Sequence, residues 1–284
     1  MSLWLDFLGA EIRFVTTPGF GRIRVAEAGR GRGDSVFLMH GIGGHLEAYA
    51  KNVVALSDRF HVVAFDFVGH GLSDKRLTDF NPSLLAEQLR ELMDALGVPA
   101  AHISGESLGG WTAGLFAARY PERTLSLLLN TSAGIPIVSE KGRQDLKDLV
   151  ALSARNAQQV PTMESVTARM RWLMHESNWG LLTDELVRTR LHFYLQPDLK
   201  EAAPIIGRFL ASGGDDHLIP LESIPTRTLF LWTRDNPIHD VAAAEAARAR
   251  MGNAALHVME ADACHWPQYE VPDEFNRVAA AFFG

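Results

Sequence analysis

The strongest constraint on the fold is a rhythm: short apolar, β-branched runs recur along the chain and, from Val36 onward, alternate with stretches of helical periodicity. Strands are predicted over 12–16, 23–27, 36–40, 61–66, 102–105, 125–130, 228–232 and 256–260. Helices are predicted over 82–96, 108–120, 241–251 and 273–283. Such alternation calls for crossover helices between parallel strands. The chain is therefore expected to form an α/β fold, with a mostly parallel eight-stranded sheet flanked by helices. The first two strands, joined by a short Gly-rich turn, are expected to make an antiparallel edge. The rhythm breaks between residues 135 and 220, where amphipathic helical patterns appear without a convincing strand. Residues 1–134 and 221–284 are thus expected to form the core, and 135–220 a helical cap (lid) inserted after strand 6.

Composition narrows the chemistry. The 284 residues carry 27 Lys+Arg against 34 Asp+Glu, a formal charge of −7 without a long basic run, which disfavours nucleic-acid partners and anionic membrane surfaces. No stretch reaches the ~20 apolar residues of a membrane span, and the first ten residues lack the pattern of a signal peptide. The single cysteine, Cys264, excludes an internal disulfide framework and fits a reducing, cytoplasmic setting. No His-x-x-x-His or Cys-x-x-Cys pair suggests a metal, and no Gly-x-Gly-x-x-Gly opens the first βα unit, so neither metal nor cofactor is expected.

The segment Gly105-Glu106-Ser107-Leu108-Gly109-Gly110 falls between a predicted strand and a predicted helix. A sharp strand-to-helix turn there would push the Ser107 hydroxyl out at the carboxyl edge of the sheet, over a helix N-terminus. A serine needs a base, and the base needs an orienting carboxylate. His265, in Ala263-Cys264-His265-Trp266-Pro267, follows the last strand at that same edge. His61, His102 and His257 sit at strand starts, on the opposite edge. Asp235, in Trp232-Thr233-Arg234-Asp235-Asn236-Pro237, is the expected acid. Asp240 reads as a helix cap, and Asp262 lies too near His265 in sequence to face its Nδ1. His40-Gly41-Ile42-Gly43-Gly44 closes the third strand. Its Gly41 and Gly43 allow a ligand close to the backbone, and the Ile42 N–H with that of Leu108 would form an oxyanion hole. The stretch Asp66 to Asp74 reads as a structural turn, with His70 bonded into the loop. Glu106 could act as acid or base, but a side chain one position before the nucleophile is expected to point away.

Together these residues resemble the α/β-hydrolase superfamily over nearly the whole chain, and within it most nearly the meta-cleavage product hydrolases, which break carbon–carbon bonds. The narrower likeness rests on Thr183-Asp184-Glu185-Leu186-Val187-Arg188-Thr189-Arg190, on His265-Trp266-Pro267-Gln268-Tyr269-Glu270, and on Asp273-Glu274-Phe275-Asn276. The resemblance implies that Arg190 and Trp266 hold the dienoate end of a 2-hydroxy-6-oxohexa-2,4-dienoate-type substrate. It departs from the family at Glu106, where Asn is common, at the short loop after His40-Gly41, and at Asn236-Pro237 after the expected acid. A carboxylesterase or lactonase using the same triad is the alternative, and a non-catalytic ligand receptor on this fold is a further one. Haloalkane dehalogenase and epoxide hydrolase readings would need Asp at position 107. The 6-substituent and the oligomeric state stay open, a homodimer being one option.

Overall fold

A computed structural model describes residues 2–157, 159–212 and 217–284. Its strands are β1 (Glu11–Thr17), β2 (Gly21–Ala28), β3 (Ser35–Met39), β4 (His61–Phe65), β5 (Ala101–Glu106), β6 (Thr124–Asn130), β7 (Thr228–Trp232) and β8 (Ala254–Val258). They form one sheet in the order β1-β2-β4-β3-β5-β6-β7-β8. The β1–β2 and β2–β4 pairings are antiparallel and the rest are parallel. β3, β4 and β5 are buried along almost their whole length, as parallel strands covered on both faces must be. This explains why they read as continuous apolar runs rather than alternating ones. β8, at the outer edge, is half-buried except at the exposed Ala255.

The helices are α1 (Leu3–Asp6), α2 (Ala50–Leu56), α3 (Pro82–Ala95), α4 (Leu108–Arg119), α5 (Glu140–Ala157), α6 (Met163–Leu173), α7 (Asp184–Tyr194), α8 (Leu199–Ser212), α9 (Val241–Ala249), α10 (Pro267–Glu270) and α11 (Pro272–Phe283). The predicted core helices appear with small shifts at their ends, while α1, α2 and α10 are too short to show a helical period. α3 starts where its sequence dictates: Asn81 accepts the Leu84 N–H at 2.9 Å, and Pro82 occupies the first turn. Among the described residues four α-helices, α5 to α8, and a short 3-10 helix over Glu176–Leu181 lie between β6 and β7. Among the described residues no helix is long and apolar enough to cross a membrane.

One buried ionic cluster fixes the loop that follows β3. Arg24 of β2 donates to Asp66 at 2.6 Å and, through both terminal nitrogens, to Glu47 at 2.9 and 2.8 Å. Asp66 also accepts the backbone N–H groups of Leu46 and Leu72, both at 2.8 Å. The charges are paired and their spare acceptors filled, as burial requires. The Asp66–Asp74 stretch is thus the structural turn its sequence suggests, with His70 Nδ1 bonded to the Val68 carbonyl at 3.3 Å. Removing the cation would strand two buried carboxylates. Arg24→Met should therefore cost about 3–5 kcal/mol of unfolding free energy in urea titrations; a loss under 1 kcal/mol would contradict this role.

Candidate active site

Ser107 caps α4 with φ 56° and ψ −117°, the left-handed region that a side chain adopts only when its surroundings force it. The force is steric. A Cβ on Gly105 would collide with the backbone of Gly109, and one on Gly109 with the Met39 carbonyl, so β5 and α4 cross with no room for side chains. The Ser107 N–H donates to the Asn130 carbonyl at 3.2 Å, and its own carbonyl accepts from Trp111 at 3.0 Å and Ala133 at 3.1 Å. Leu108 is the first residue of α4, so its N–H is among the donors a helix leaves unused. Ile42 N–H has no acceptor among the described residues, and both residues border a cavity of about 520 Å³ together with Ser107 and His265.

The loop carrying His265 is held by a single buried carboxylate. Glu270 accepts the N–H groups of Cys264 (2.9 Å), Trp266 (3.2 Å) and His175 (2.8 Å), and the Asn178 amide at 3.0 Å. Thr131 donates to the His265 carbonyl at 3.0 Å, and the His265 N–H reaches the Leu173 carbonyl at the end of α6 at 2.9 Å. The imidazole is therefore placed by the sheet and by the inserted helices at once.

The partner of that imidazole is not the expected one. His265 Nδ1 bonds to Asn236 Oδ1 at 2.7 Å, whereas the Asp235 side chain is 58% exposed and lies 3.8 Å from His175 Nε2. Arg234 and Asp235 form an exposed turn, and the chain turns back inward at Asn236, which is 1% exposed. The amide is oriented from behind, because Asn236 Nδ2 donates to the His239 carbonyl at 2.5 Å. Oδ1 must then accept, which puts the proton on Nδ1 and leaves the Nε2 lone pair free. Asp240 caps α9 through the Ala243 N–H, and Asp262 lies 3.9 Å from Arg234.

Glu106 also departs from expectation. Its side chain turns into the site, 1% exposed, with Oε2 accepting the Gly41 N–H at 2.7 Å and Oε1 3.3 Å from His265 Nε2. Gly41 makes room for it: a Cβ there would lie 2.6 Å from Oε1. Burial pushes the Glu106 carboxyl up to about 7, against the pull of the Gly41 N–H, Arg190 and Arg169. Burial drives His265 down to about 3, helped by Arg169 and His239.

Arg190, 1% exposed, donates through Nε to the Tyr194 hydroxyl at 2.9 Å, and that hydroxyl donates to the Gly43 carbonyl at 2.8 Å. Its guanidinium sits 5.1 Å from the Trp266 ring centre, and its Nη1 is buried without a partner among the described residues. Gly43, with φ 65°, leaves space for Tyr194, since a Cβ would come within 2.8 Å of that hydroxyl. Arg190 is thus sealed behind Tyr194 and Trp266. Two arginines border the cavity: Arg143 of α5, whose Nε donates to Glu140 at 3.0 Å, and Arg169 of α6, stacked 5.0 Å from the Trp172 ring, with Nη1 buried and without a partner among the described residues. Sequence reasoning did not single out Arg169, because a lone Arg on an amphipathic helix looks like any surface residue. Trp266, Gly41 and Gly44 border the same cavity, whose far end is apolar, with Trp111, Ile135, Leu149 and Phe209. Among the described residues no cluster of His, Cys, Asp and Glu could hold a metal.

Residues 34–272 match the family described as the alpha/beta hydrolase fold. The chain belongs to that family. Its relatives include the dihydrolipoyllysine-residue acetyltransferase component of the acetoin cleaving system of Cupriavidus necator, 30% identical over 97% of this chain and 70% of that protein. They also include a 2-hydroxy-6-oxo-6-phenylhexa-2,4-dienoate hydrolase of Burkholderia cepacia, 29% identical over 95% of both chains. Among solved structures, the meta-cleavage product hydrolase of Pseudomonas fluorescens IP01 superposes with a TM-score of 0.79 at 26% identity, covering 97% of this chain and 98% of that one. Meta-cleavage product hydrolases thus recur among the α/β-hydrolase relatives of this chain by sequence and by fold.

The raised Glu106 pKa has a stability consequence. Between about 4.5 and about 7 the folded chain holds a proton that the unfolded chain has released, so this group's contribution is complete below 4.5 and lost as pH rises through 7. Urea unfolding of wild type relative to Glu106→Gln should show the wild type losing a few kcal/mol across that window and then levelling; a flat or rising difference would contradict it.

Proposed function

We propose that the protein is a cofactor-free serine hydrolase that cleaves a carbon–carbon bond in an acidic, vinylogous diketone of the 2-hydroxy-6-oxohexa-2,4-dienoate type. The observation that carries the reading is the Arg169 guanidinium, unpartnered at Nη1, in an otherwise largely apolar cavity that ends at Ser107 and His265. A buried guanidinium with a nitrogen left unbonded among the described residues suits a substrate that brings a carboxylate, and Arg geometry suits a carboxylate fork. The relatives named for dienoate hydrolysis agree with that choice. Arg190 and Trp266 would back the carboxylate subsite, and the helices of 135–220 would act as its cap.

In this mechanism the dienol is first converted to its keto form, which places an electron sink beside the bond to be broken. Ser107 Oγ then bonds to the distal ketone carbon as its proton passes to His265 Nε2. The Ile42 and Leu108 N–H groups receive the oxyanion; losing one such donor typically costs about 100- to 1000-fold. Collapse breaks the C–C bond, its electron pair moves through the enone onto the keto oxygen beside the carboxylate, and His265 returns the proton to that oxygen, so that a 2-hydroxydienoate leaves. Water, deprotonated by His265, releases the acyl group from Ser107 as a carboxylic acid.

Phenyl-, alkyl- and hydrogen-substituted dienoates, assayed by loss of dienol absorbance beside neutral p-nitrophenyl esters, test the reading. Dienoates should be the better substrates, and Ser107→Ala should lower product formation at least about 1000-fold. Preference for neutral esters would assign an esterase instead. Arg169→Met should raise KM for the dienoate about 10- to 100-fold while leaving neutral-ester turnover within about threefold; equal losses on both would remove Arg169 from substrate recognition.

A further inference from the structure

We infer that Glu106 supplies, from the Nε2 side of His265, the negative charge that a triad carboxylate ordinarily supplies from the Nδ1 side, Asn236 keeping only the orienting part of that task. The inference rests on the reading of Ser107 and His265 as nucleophile and base, whatever bond they cleave.

A triad acid does two things: it holds the imidazole in one tautomer, and it stabilises the imidazolium formed when the serine gives up its proton. Asn236 does the first. Its amide is locked between the His239 carbonyl and His265 Nδ1, but it is neutral and offers no counter-charge. The need for one is acute, because His265 is 7% exposed and the Arg169 cation opposes its protonation. Among the carboxylates around the loop, Asp235 and Asp262 point outward, Asp240 caps α9, and Glu270 is filled by four donors. Among the described residues Glu106 is the carboxylate that reaches the ring, 3.3 Å from Nε2, and its second oxygen is anchored by the Gly41 N–H. Charge removed from position 236 thus reappears on the other side of the same imidazole.

The arrangement sets a pH dependence. Glu106 serves only when ionised, and burial pushes its carboxyl up to about 7, so reactivity rises with pH through that value. Facing it are the Gly41 N–H, Tyr49, Arg169 from α6, Arg190 from α7, and His265 with Trp266 from the final loop; His239 and Arg169 face His265. Arg169, pushed down to about 10 by burial, stays cationic across the working range.

Phosphorylation of Ser107 by diisopropyl fluorophosphate reads this pair without reference to substrate, with mass spectrometry locating the adduct. The wild-type rate should climb through about pH 7. Glu106→Gln, which keeps an acceptor for the Gly41 N–H, should be slower by about 100-fold and lose that climb. Glu106→Gln combined with Asn236→Asp returns a carboxylate to the Nδ1 side and should recover most of the loss. A Glu106→Gln protein with the wild-type rate and profile, a double variant no faster than the single one, or a wild type unlabelled at Ser107 would each overturn the inference. Labelling that behaves as expected in a protein inert toward dienoates would leave it standing and remove the proposed substrate class.

Discussion

Everything at this site depends on the close crossing of β5 and α4. Gly105 and Gly109 let the strand, the helix and the end of β3 approach until backbone meets backbone, and the chain between them has no option but a left-handed serine. That constraint raises Ser107 at the sheet edge and opens the unused helix N–H groups beneath it. It also turns the neighbouring Glu106 toward the loop after β3, where the Gly41 N–H receives it. A turn of lower strain would separate hydroxyl, carboxyl and backbone donors that here share one cavity wall.

The second half of the site is built by anchoring rather than strain. Glu270 collects three backbone N–H groups and an amide, so the short segment carrying His265 cannot drift. Two of those donors, the His175 N–H and the Asn178 amide, belong to the region between β6 and β7, and the His265 N–H is itself tied to the end of α6. The helices between β6 and β7 therefore supply the Arg169 cation and also help fix the imidazole. The Arg169 guanidinium and the His265 imidazole share a scaffold, and a disturbance of α6 reaches both.

Much of this was legible in the sequence, for a physical reason. Strand carboxyl ends in a parallel sheet lie on one edge, so Ser107 and His265 could be placed together from chain order alone. The buried strands announced themselves through unbroken apolar runs. What chain order does not encode is which way each loop side chain faces. Asp235 and Asn236 are adjacent and chemically similar in shape, and only burial distinguishes the outward carboxylate from the inward amide. The usual course of an elbow turns the residue before the nucleophile away, but at Glu106 the absence of a Cβ at Gly41 opens a berth for its side chain. Its coincidence with a loop whose inward residue is an amide was the available signal, a charge missing from one place and present in another. Arg190 was noticed through resemblance and proves enclosed by Tyr194 and Trp266, whereas Arg169, unmarked in sequence, borders the cavity.

The central claim is that the Ser107 oxygen becomes covalently bonded to the carbon it attacks. Rapid-quench mass spectrometry after mixing the protein with a phenyl-substituted dienoate tests this directly. The account predicts a transient benzoyl ester on the peptide containing Ser107, formed and lost at rates that account for turnover. Continued turnover with that peptide unmodified at every time point, or with the ester on another residue, would contradict it.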